Sequence, residues 1–264
     1  MLRSSGVMEK NMLTRKMADV ASGLRAVRDK VAAASSRRHP ELAHFQPRLV
    51  AVSKTKPAAL VIEAYEAGQR HFGENYVNEL LEKGHNPDIL SKCKDIRWHF
   101  IGHLQSNKIN KVLAVPNLYI IETVHSKQLA TGLNNAWPKF RKTEESLLKV
   151  MVQINTSGEE EKNGCQPSEA SNLVKHVIEN CKNLKFTGIM TIGKYGYDPS
   201  AGPNPDFLKL KELHSKICQE LNLDSRAVEL SMGMSSDYEH AIELGSTNIR
   251  IGSSIFGYRP KKGE

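Results

Sequence analysis

The sequence RLVAVSKTKP, residues 48–57, joins a short β-branched apolar segment to a polar turn. The apolar segment is too short for a helix and Pro57 cannot continue a strand ladder, so a buried strand is predicted to end just before Lys54. Because side chains alternate along a strand, Lys54 shares a face with Val50 and Val52. An ammonium group there is costly to desolvate, which lowers its pKa and makes the neutral amine available as a nucleophile. A Schiff-base lysine needs that property.

Short apolar runs of this kind recur along the chain and alternate with longer amphipathic stretches. Eight strands are predicted, at Leu49–Ser53, Arg70–Gly73, Arg97–Gly102, Leu118–Thr123, Lys149–Asn155, Phe186–Ile192, Val228–Met232 and Asn248–Gly252. Apolar residues at helical spacing predict helices near residues 58–67, 76–83, 106–114, 127–136, 167–180, 206–222 and 237–245.

Eight strands with intervening helices in 264 residues predict a single closed (β/α)8 TIM barrel, an α/β fold that typically uses about 250 residues. An open doubly wound sheet is the alternative. The GxGxxG fingerprint of that fold is missing after the first strand, so the closed barrel is favoured.

The chain divides into three predicted parts: an N-terminal arm at 1–45, the barrel at 46–258 and a short basic tail at 259–264. Within the arm, residues 17–34 carry apolar side chains at helical spacing and predict an additional helix packed outside the barrel. The Gly- and Pro-rich segment 194–205 follows the sixth strand and is a candidate lid.

Charge and hydropathy limit which partners and cellular locations are expected. The net charge is +8, but the basic residues are scattered among acidic ones, so no nucleic-acid surface is predicted. No apolar run reaches the roughly 20 residues that span a bilayer, and no secretory signal is expected. We expect a cytoplasmic protein, with mitochondrial targeting by the basic residues 1–20 as the alternative.

The four cysteines lie far apart, without CxxC spacing or paired histidines. Neither a metal site nor a disulfide framework is predicted, and reduced thiols are expected.

The last two predicted strands supply partners for Lys54. In strand eight Arg250 alternates with aliphatic residues and is predicted to point into the barrel, where the eighth strand neighbours the first. Two cations at one mouth call for an anionic ligand between them. The Gly- and Ser-containing segments 231–237 and 250–257 follow strands seven and eight, where such turns commonly form a phosphate cradle. Turn and capping chemistry alone is the alternative for these residues.

Five segments resemble the pyridoxal phosphate homeostasis protein family, whose members are similar to the N-terminal barrel of alanine racemase, a type III fold for pyridoxal phosphate. They are AVSKTKP (51–57), FGENY (72–76), WHFIGHLQ (98–105), LSMGMS (230–235) and RIGS (250–253). The segments occur in the order that the family has, so the resemblance is specific.

The resemblance implies a set of cofactor-binding residues and no catalytic or metal-binding ones. Lys54 is implied to carry pyridoxal 5′-phosphate as an internal aldimine, and Arg250 to contact the pyridine nitrogen. The phosphate group is implied to be held by Ser235, Gly252 and Ser253. The positions of Asn75 and His103 match family positions near the ring.

The implied function is intracellular vitamin B6 homeostasis, in which a monomer holds pyridoxal phosphate and buffers it or delivers it to apoenzymes that depend on it. No catalytic turnover is required, because a cation beside the ring nitrogen disfavours its protonation and makes the ring a poorer electron sink. An amino-acid racemase is the enzymatic alternative. It needs a second proton-transfer group, a C-terminal-domain tyrosine in alanine racemases, for which we expect no counterpart here. An aldolase-like barrel acting on a phosphorylated sugar is the third possibility.

Overall fold

The computed structural model describes residues 5–42 and 45–257. The predicted basic tail at 259–264 lies outside this range, as do the first four residues of the predicted arm.

The described residues form a closed parallel barrel in which the eight strands follow one another in chain order. The strands are β1 (Arg48–Val52), β2 (His71–Glu74), β3 (Arg97–Phe100), β4 (Leu118–Val124), β5 (Leu148–Gln153), β6 (Leu184–Met190), β7 (Glu229–Ser231) and β8 (Asn248–Ile251). The barrel closes because β1 pairs with β8, and Val50 is in register with Arg250. The predicted fold class is confirmed.

Helices cover the outside of the barrel. They are α1 (Ser5–Ser36), α2 (Ala58–Glu66), α3 (Val77–Gly84), α4 (Pro87–Lys92), α5 (Ile109–Leu113), α6 (Lys127–Ala136), α7 (Ala170–Asn180), α8 (Pro205–Glu220), α9 (Tyr238–Glu243) and α10 (Ser253–Phe256). Short 3-10 turns complete several connections.

The main apolar core lies between the strands and this helical layer. Alternate strand residues face outward into it, among them the fully buried Phe72, Trp98, Phe100, Ile249 and Ile251. Full burial of one such side chain contributes about 1.5–3 kcal/mol. A smaller apolar cluster, centred on Met151 and Met190, lies inside the barrel. The opposite faces of the strands are therefore left for the polar groups of the lumen.

The predicted N-terminal helix is present as α1. It buries Val20, Leu24 and Val27 against the outside of the barrel. A Cβ added at Gly23 would lie 2.9 Å from the backbone oxygens of Ser254 and Ile255, so α1 is in close contact with α10. The helix thus supports the loop that follows β8 from outside.

Local details differ from the sequence pattern in two places. The pattern contains no counterpart of α4, whose start is capped by the Asn86 side chain accepting from the N–H groups of Asp88 and Ile89. The spacing of Ser236 and Glu239 predicts a capping box at the start of α9, and the structure contradicts this prediction. The helix begins after Asp237, whose carboxylate instead accepts from the Met234 N–H at 2.6 Å.

All four cysteines, Cys93, Cys165, Cys181 and Cys218, are buried and unbridged. Burial raises the pKa of each thiol, that of Cys165 to about 12. These residues pack as small apolar side chains.

Candidate functional site

Lys54 lies in a tight turn directly after β1 and is half-buried. The backbone oxygen of Ser53 accepts from the Lys56 N–H at 3.0 Å, which closes the turn across Lys54. Thr55 has φ +61°, a left-handed conformation that is unfavourable for a β-branched residue. Such strain persists only when the surroundings hold the backbone in place.

Arg250 is buried within the barrel, with 4% of its surface exposed. Its guanidinium donates to Ser231 Oγ at 2.5 Å and to the Thr191 backbone oxygen at 2.8 Å. Burial lowers the pKa of Arg250, while the charges of Glu122 and Asp237 oppose that shift. An arginine remains cationic under such conditions. The permanent positive charge of Arg250 therefore lies on β8, next to β1, the strand that leads to Lys54.

A carboxylate in the lumen balances this charge. Glu122 is fully buried, and its oxygens accept from His99 Nδ1 at 2.6 Å, Ser231 Oγ at 2.7 Å and Asn248 Nδ2 at 3.0 Å. Burial raises the pKa of Glu122, but the His99 hydrogen bond and charge and the Arg250 charge outweigh it and hold that pKa at about 2. Ser231 therefore links the carboxylate to Arg250.

The loops after β7 and β8 are joined to each other. The Arg250 N–H donates to the Gly233 oxygen at 3.0 Å, and the Gly252 N–H donates to Ser235 Oγ at 3.2 Å. Gly233 has φ +98°, which favours glycine at this turn. The hydroxyl-bearing Ser253 opens α10 and is exposed. Ser235, Gly252 and Ser253 consequently lie at one part of the rim.

Asn75 follows β2, and its Oδ1 is buried without a hydrogen-bond partner among the residues described. An unpaired buried amide oxygen is costly, and this one is an acceptor that a bound polar group could use. His103 follows β3, is exposed, and stacks on His125 with ring centroids 4.7 Å apart. The structure thus places Asn75 and His103 on neighbouring loops, with His103 packed against another histidine.

The donor set fits an anionic aromatic aldehyde bearing a phosphate. Lys54 supplies an amine, Arg250 a cation, and Ser235 and Ser253 hydroxyl donors, while the unpaired oxygen of Asn75 offers an acceptor. Across residues 5–42 and 45–257, no group of three or more His, Cys, Asp or Glu side chains could hold a metal ion. No helix in the same part of the chain is long and apolar enough to cross a membrane.

Gly102 sets the position of Asn75. A Cβ added at Gly102 would lie 1.8 Å from the Asn75 backbone oxygen, and backbone cannot move aside as a flexible side chain does. We expect Gly102→Ala to destabilise the fold by about 1–3 kcal/mol, measured by urea unfolding. As a control, Gly132→Ala meets only the flexible end of Ile109 and lies inside α6, so it should be close to neutral. Equal stability of the two variants would contradict this account.

Two groups of the lumen, His71 and Glu122, are predicted to contribute less to stability in acid. His71 Nδ1 lies 2.7 Å from His99 Nε2, and burial, with the charges of His99 and Arg48, lowers the pKa of His71 from 6.5 to about 3. Groups whose folded-state pKa is depressed stabilise the fold above their unfolded pKa and lose that contribution as pH falls. The contribution of His71 to the free energy of unfolding should therefore decrease as pH falls below about 6.5, and that of Glu122 as pH falls below about 4.5.

Urea unfolding between about pH 7 and pH 4 measures this slope. His71→Asn, which cannot titrate, should lack this contribution, so its stability relative to wild type should rise as pH falls from about 6.5 to about 4.5. Glu74, whose pKa burial raises to about 7, contributes the opposite slope between about pH 7 and 4.5, so the quantity to compare is the difference in stability between the two proteins. A difference that stays constant over that interval would show that His71 does not behave as described.

Sequence patterns did not identify the lumen network of His99, Glu122, Ser231 and Asn248. One signal was available, since Glu122 is the only charged residue in the otherwise apolar stretch LYIIETV of β4. A charge placed at the centre of a buried strand requires a partner.

Comparison with known proteins agrees with this fold. A family model described as "Alanine racemase, N-terminal domain" matches residues 24–260. The human pyridoxal phosphate homeostasis protein is 59% identical over 240 residues, which cover 91% of this chain and 86% of the human protein. PipY of Synechococcus elongatus PCC7942, solved with PLP bound, superimposes with a TM-score of 0.72 at 32% identity, covering 90% of this chain and 100% of PipY.

The barrel therefore places the chain in the alanine racemase N-terminal domain class. Within that class, the chain belongs to the pyridoxal phosphate homeostasis protein family. Alanine racemase from Corynebacterium glutamicum shares only the fold, with a TM-score of 0.59 and 14% identity over 89% of this chain and 62% of the racemase.

Proposed function

We propose that this chain binds pyridoxal 5′-phosphate covalently through Lys54 and serves vitamin B6 homeostasis by holding the cofactor and delivering it to apoenzymes. The observation that carries the proposal is the position of the Lys54 turn beside the joined loops of β7 and β8 on one barrel rim. The names of the relatives and the PLP-bound state of PipY support the same ligand.

Each residue of the rim has a distinct role in this proposal. Pyridoxal phosphate supplies an aldehyde that a neutral amine can attack and a phosphate that donors can hold. Lys54 provides the amine, and Ser235, Gly252 and Ser253 hold the phosphate end. Asn75 and His103 border the ring, with the unpaired amide oxygen of Asn75 available to its polar substituents.

Arg250 explains why the protein would hold pyridoxal phosphate rather than catalyse a reaction with it. Its guanidinium is fixed by Ser231 and the Thr191 oxygen and cannot give up its proton. Placed beside the ring nitrogen, such a group keeps that nitrogen unprotonated and weakens the ring as an electron sink. Binding and release do not require an electron sink, whereas chemistry at the Cα of an amino acid does.

Delivery is tested by mixing loaded protein with an apoenzyme while an added amine traps free aldehyde. The apoenzyme should gain activity faster than it does from the same amount of free pyridoxal phosphate under the same trapping. Equal rates would count against transfer by contact while leaving binding intact.

The racemase-like alternative rests on the barrel shared with alanine racemase, which shows the fold alone. Solvent deuterium incorporation at Cα across a panel of amino acids distinguishes it. Exchange that is present in the wild type and lost in Lys54→Ala would favour an enzyme.

We further propose that the protein is a monomer, because the barrel closes on itself through β1 and β8. We also propose that it acts in the cytoplasm, which is the location that the sequence pattern favours. Light scattering coupled to size-exclusion chromatography tests the first point. Microscopy of a C-terminally tagged chain, with and without residues 1–20, tests the second against mitochondrial targeting.

A further inference from the structure

A buried ion cluster lies behind the Lys54 turn, between the ends of β1 and β2 and helix α3. We call it the Lys83 cluster, and its members are Ser53, Glu74, Glu79 and Lys83. The Lys83 ammonium donates to Glu74 Oε1 at 2.6 Å, to the Ser53 backbone oxygen at 2.7 Å and to Glu79 Oε2 at 3.1 Å. The side chain of Lys83 is 6% exposed and that of Glu74 is 0% exposed.

The cluster holds the backbone on both sides of Lys54. On the strand side, Ser53 accepts from Lys83 through its backbone oxygen and donates through Oγ to Glu74 at 2.6 Å. On the loop side, Glu79 Oε2 accepts from the Thr55 N–H at 2.6 Å. Lys83 is the one group in the cluster that contacts both of these carboxylates.

Thr55 shows why such a hold is needed. Its positive φ is a conformation that the turn would leave if it were unconstrained, since it costs of order 1–3 kcal/mol. Glu79 Oε2 accepts from the Thr55 N–H, and Lys83 donates to that same oxygen. Relaxation of Thr55 would redirect the preceding residue, which is Lys54.

Desolvating the charged groups of this cluster costs free energy that a purely structural contact would not require. Burying an ammonium and a carboxylate is often no better for stability than burying apolar side chains of the same volume. Glu74 Oε2 also has no hydrogen-bond partner among the described residues, and burial, opposed by Lys83, raises the pKa of Glu74 to about 7. An apolar contact between α3 and β2 would avoid these costs, so the charges point to a role in geometry.

We propose that Lys83 is a positioning residue that aims the Lys54 amine into the barrel mouth by fixing Ser53 through Glu74 and Thr55 through Glu79. The inference rests on the proposed function, in which Lys54 attacks an aldehyde. A misplaced amine loses reaction rate steeply, because about 1 Å of displacement can cost roughly 100-fold. Noncovalent anchoring of the phosphate at the β7 and β8 loops does not depend on the cluster.

The experiment separates amine placement from ligand binding with two probes. Covalent capture is followed as the rate at which pyridoxal phosphate becomes fixed to Lys54 by borohydride, with peptide mapping. Reversible binding is followed with 4′-deoxypyridoxine 5′-phosphate, which carries the phosphate and ring but no aldehyde. For Lys83→Met we expect capture to slow by about 10- to 100-fold while the affinity for the aldehyde-free analogue stays unchanged.

Two further variants separate positioning from stability. Arg48→Met removes the cation of the Arg48–Glu229 pair at the other end of the barrel and is the matched control; it should capture the cofactor at the wild-type rate. The double variant Glu74→Gln with Lys83→Met removes the unpaired buried charge, so it should recover stability in urea unfolding and still capture slowly.

The outcomes are distinguishable. Wild-type capture in the double variant, or equal slowing in Arg48→Met, overturns the role of Lys83 and leaves the proposed function standing. Parallel loss of capture and analogue affinity in Lys83→Met overturns it as well, since that indicates general disruption of the site. If wild-type protein is not labelled at Lys54, the proposed function itself fails.

Discussion

Lys54→Ala is expected to give a folded barrel that retains no pyridoxal phosphate after borohydride reduction and denaturation. The side chain supplies the only atom in the proposed site that bonds covalently to the ligand, so the expected effect is complete loss of fixation. The visible absorption of loaded protein should disappear with it. Mass spectrometry of the reduced protein and its peptides measures both the amount and the position of the adduct.

Two controls make this result specific. Lys54→Arg keeps the positive charge, but a guanidinium that stays protonated is no nucleophile, so it should fail in the same way. Lys56→Ala removes a lysine two residues away, whose ammonium donates to the Gly257 oxygen at 3.2 Å, and should still be labelled at Lys54. Labelling of another lysine in Lys54→Ala, at the wild-type extent, would contradict the assignment.

Glu122→Ala is expected to be the most destabilising single substitution in the lumen. It removes the carboxylate that accepts from His99, Ser231 and Asn248 and that faces the charge of Arg250. Breaking a buried charge network from one side typically costs about 3–5 kcal/mol, because the remaining charge is left without compensation. Urea unfolding monitored by circular dichroism measures the change.

Glu122→Gln is the matched control for this variant. It keeps an oxygen that can accept from Ser231 or Asn248 and changes only the charge and one acceptor, so its cost should be clearly smaller. If Glu122→Gln were as unstable as Glu122→Ala, the hydrogen bonds that a Gln can keep would contribute little, and wild-type stability in both variants would overturn the role of Glu122.

The fold was predictable because two periodicities coincide with it. Apolar residues that alternate in the strands and recur at helical spacing between them specify which face of each element is buried, and eight such units leave few ways to close a sheet. Strand ends shifted by a residue or two. Glu74, for example, is the last residue of β2 rather than the first of its loop, because its backbone continues the ladder beside Phe100.

The rim residues were predictable for a related reason, since strand direction places the ends of all parallel strands on one side. The lumen network was not, because a strand pattern shows that Glu122 faces inward but not which side chains it meets. Its partners His99 and Asn248 are 23 and 126 residues away in sequence. Lys83 gave no signal at all, since a lysine on an amphipathic helix ordinarily faces solvent.

The four shielded thiols have a practical consequence for studying this protein. Alkylating reagents attack the thiolate, and burial shields each of the four sulfurs and suppresses its ionisation. Modification of any one of them in native buffer must therefore wait for local opening of the layer above it. The alkylation rate of each cysteine, measured by mass spectrometry, therefore reports how often the structure around that residue opens, without an added probe.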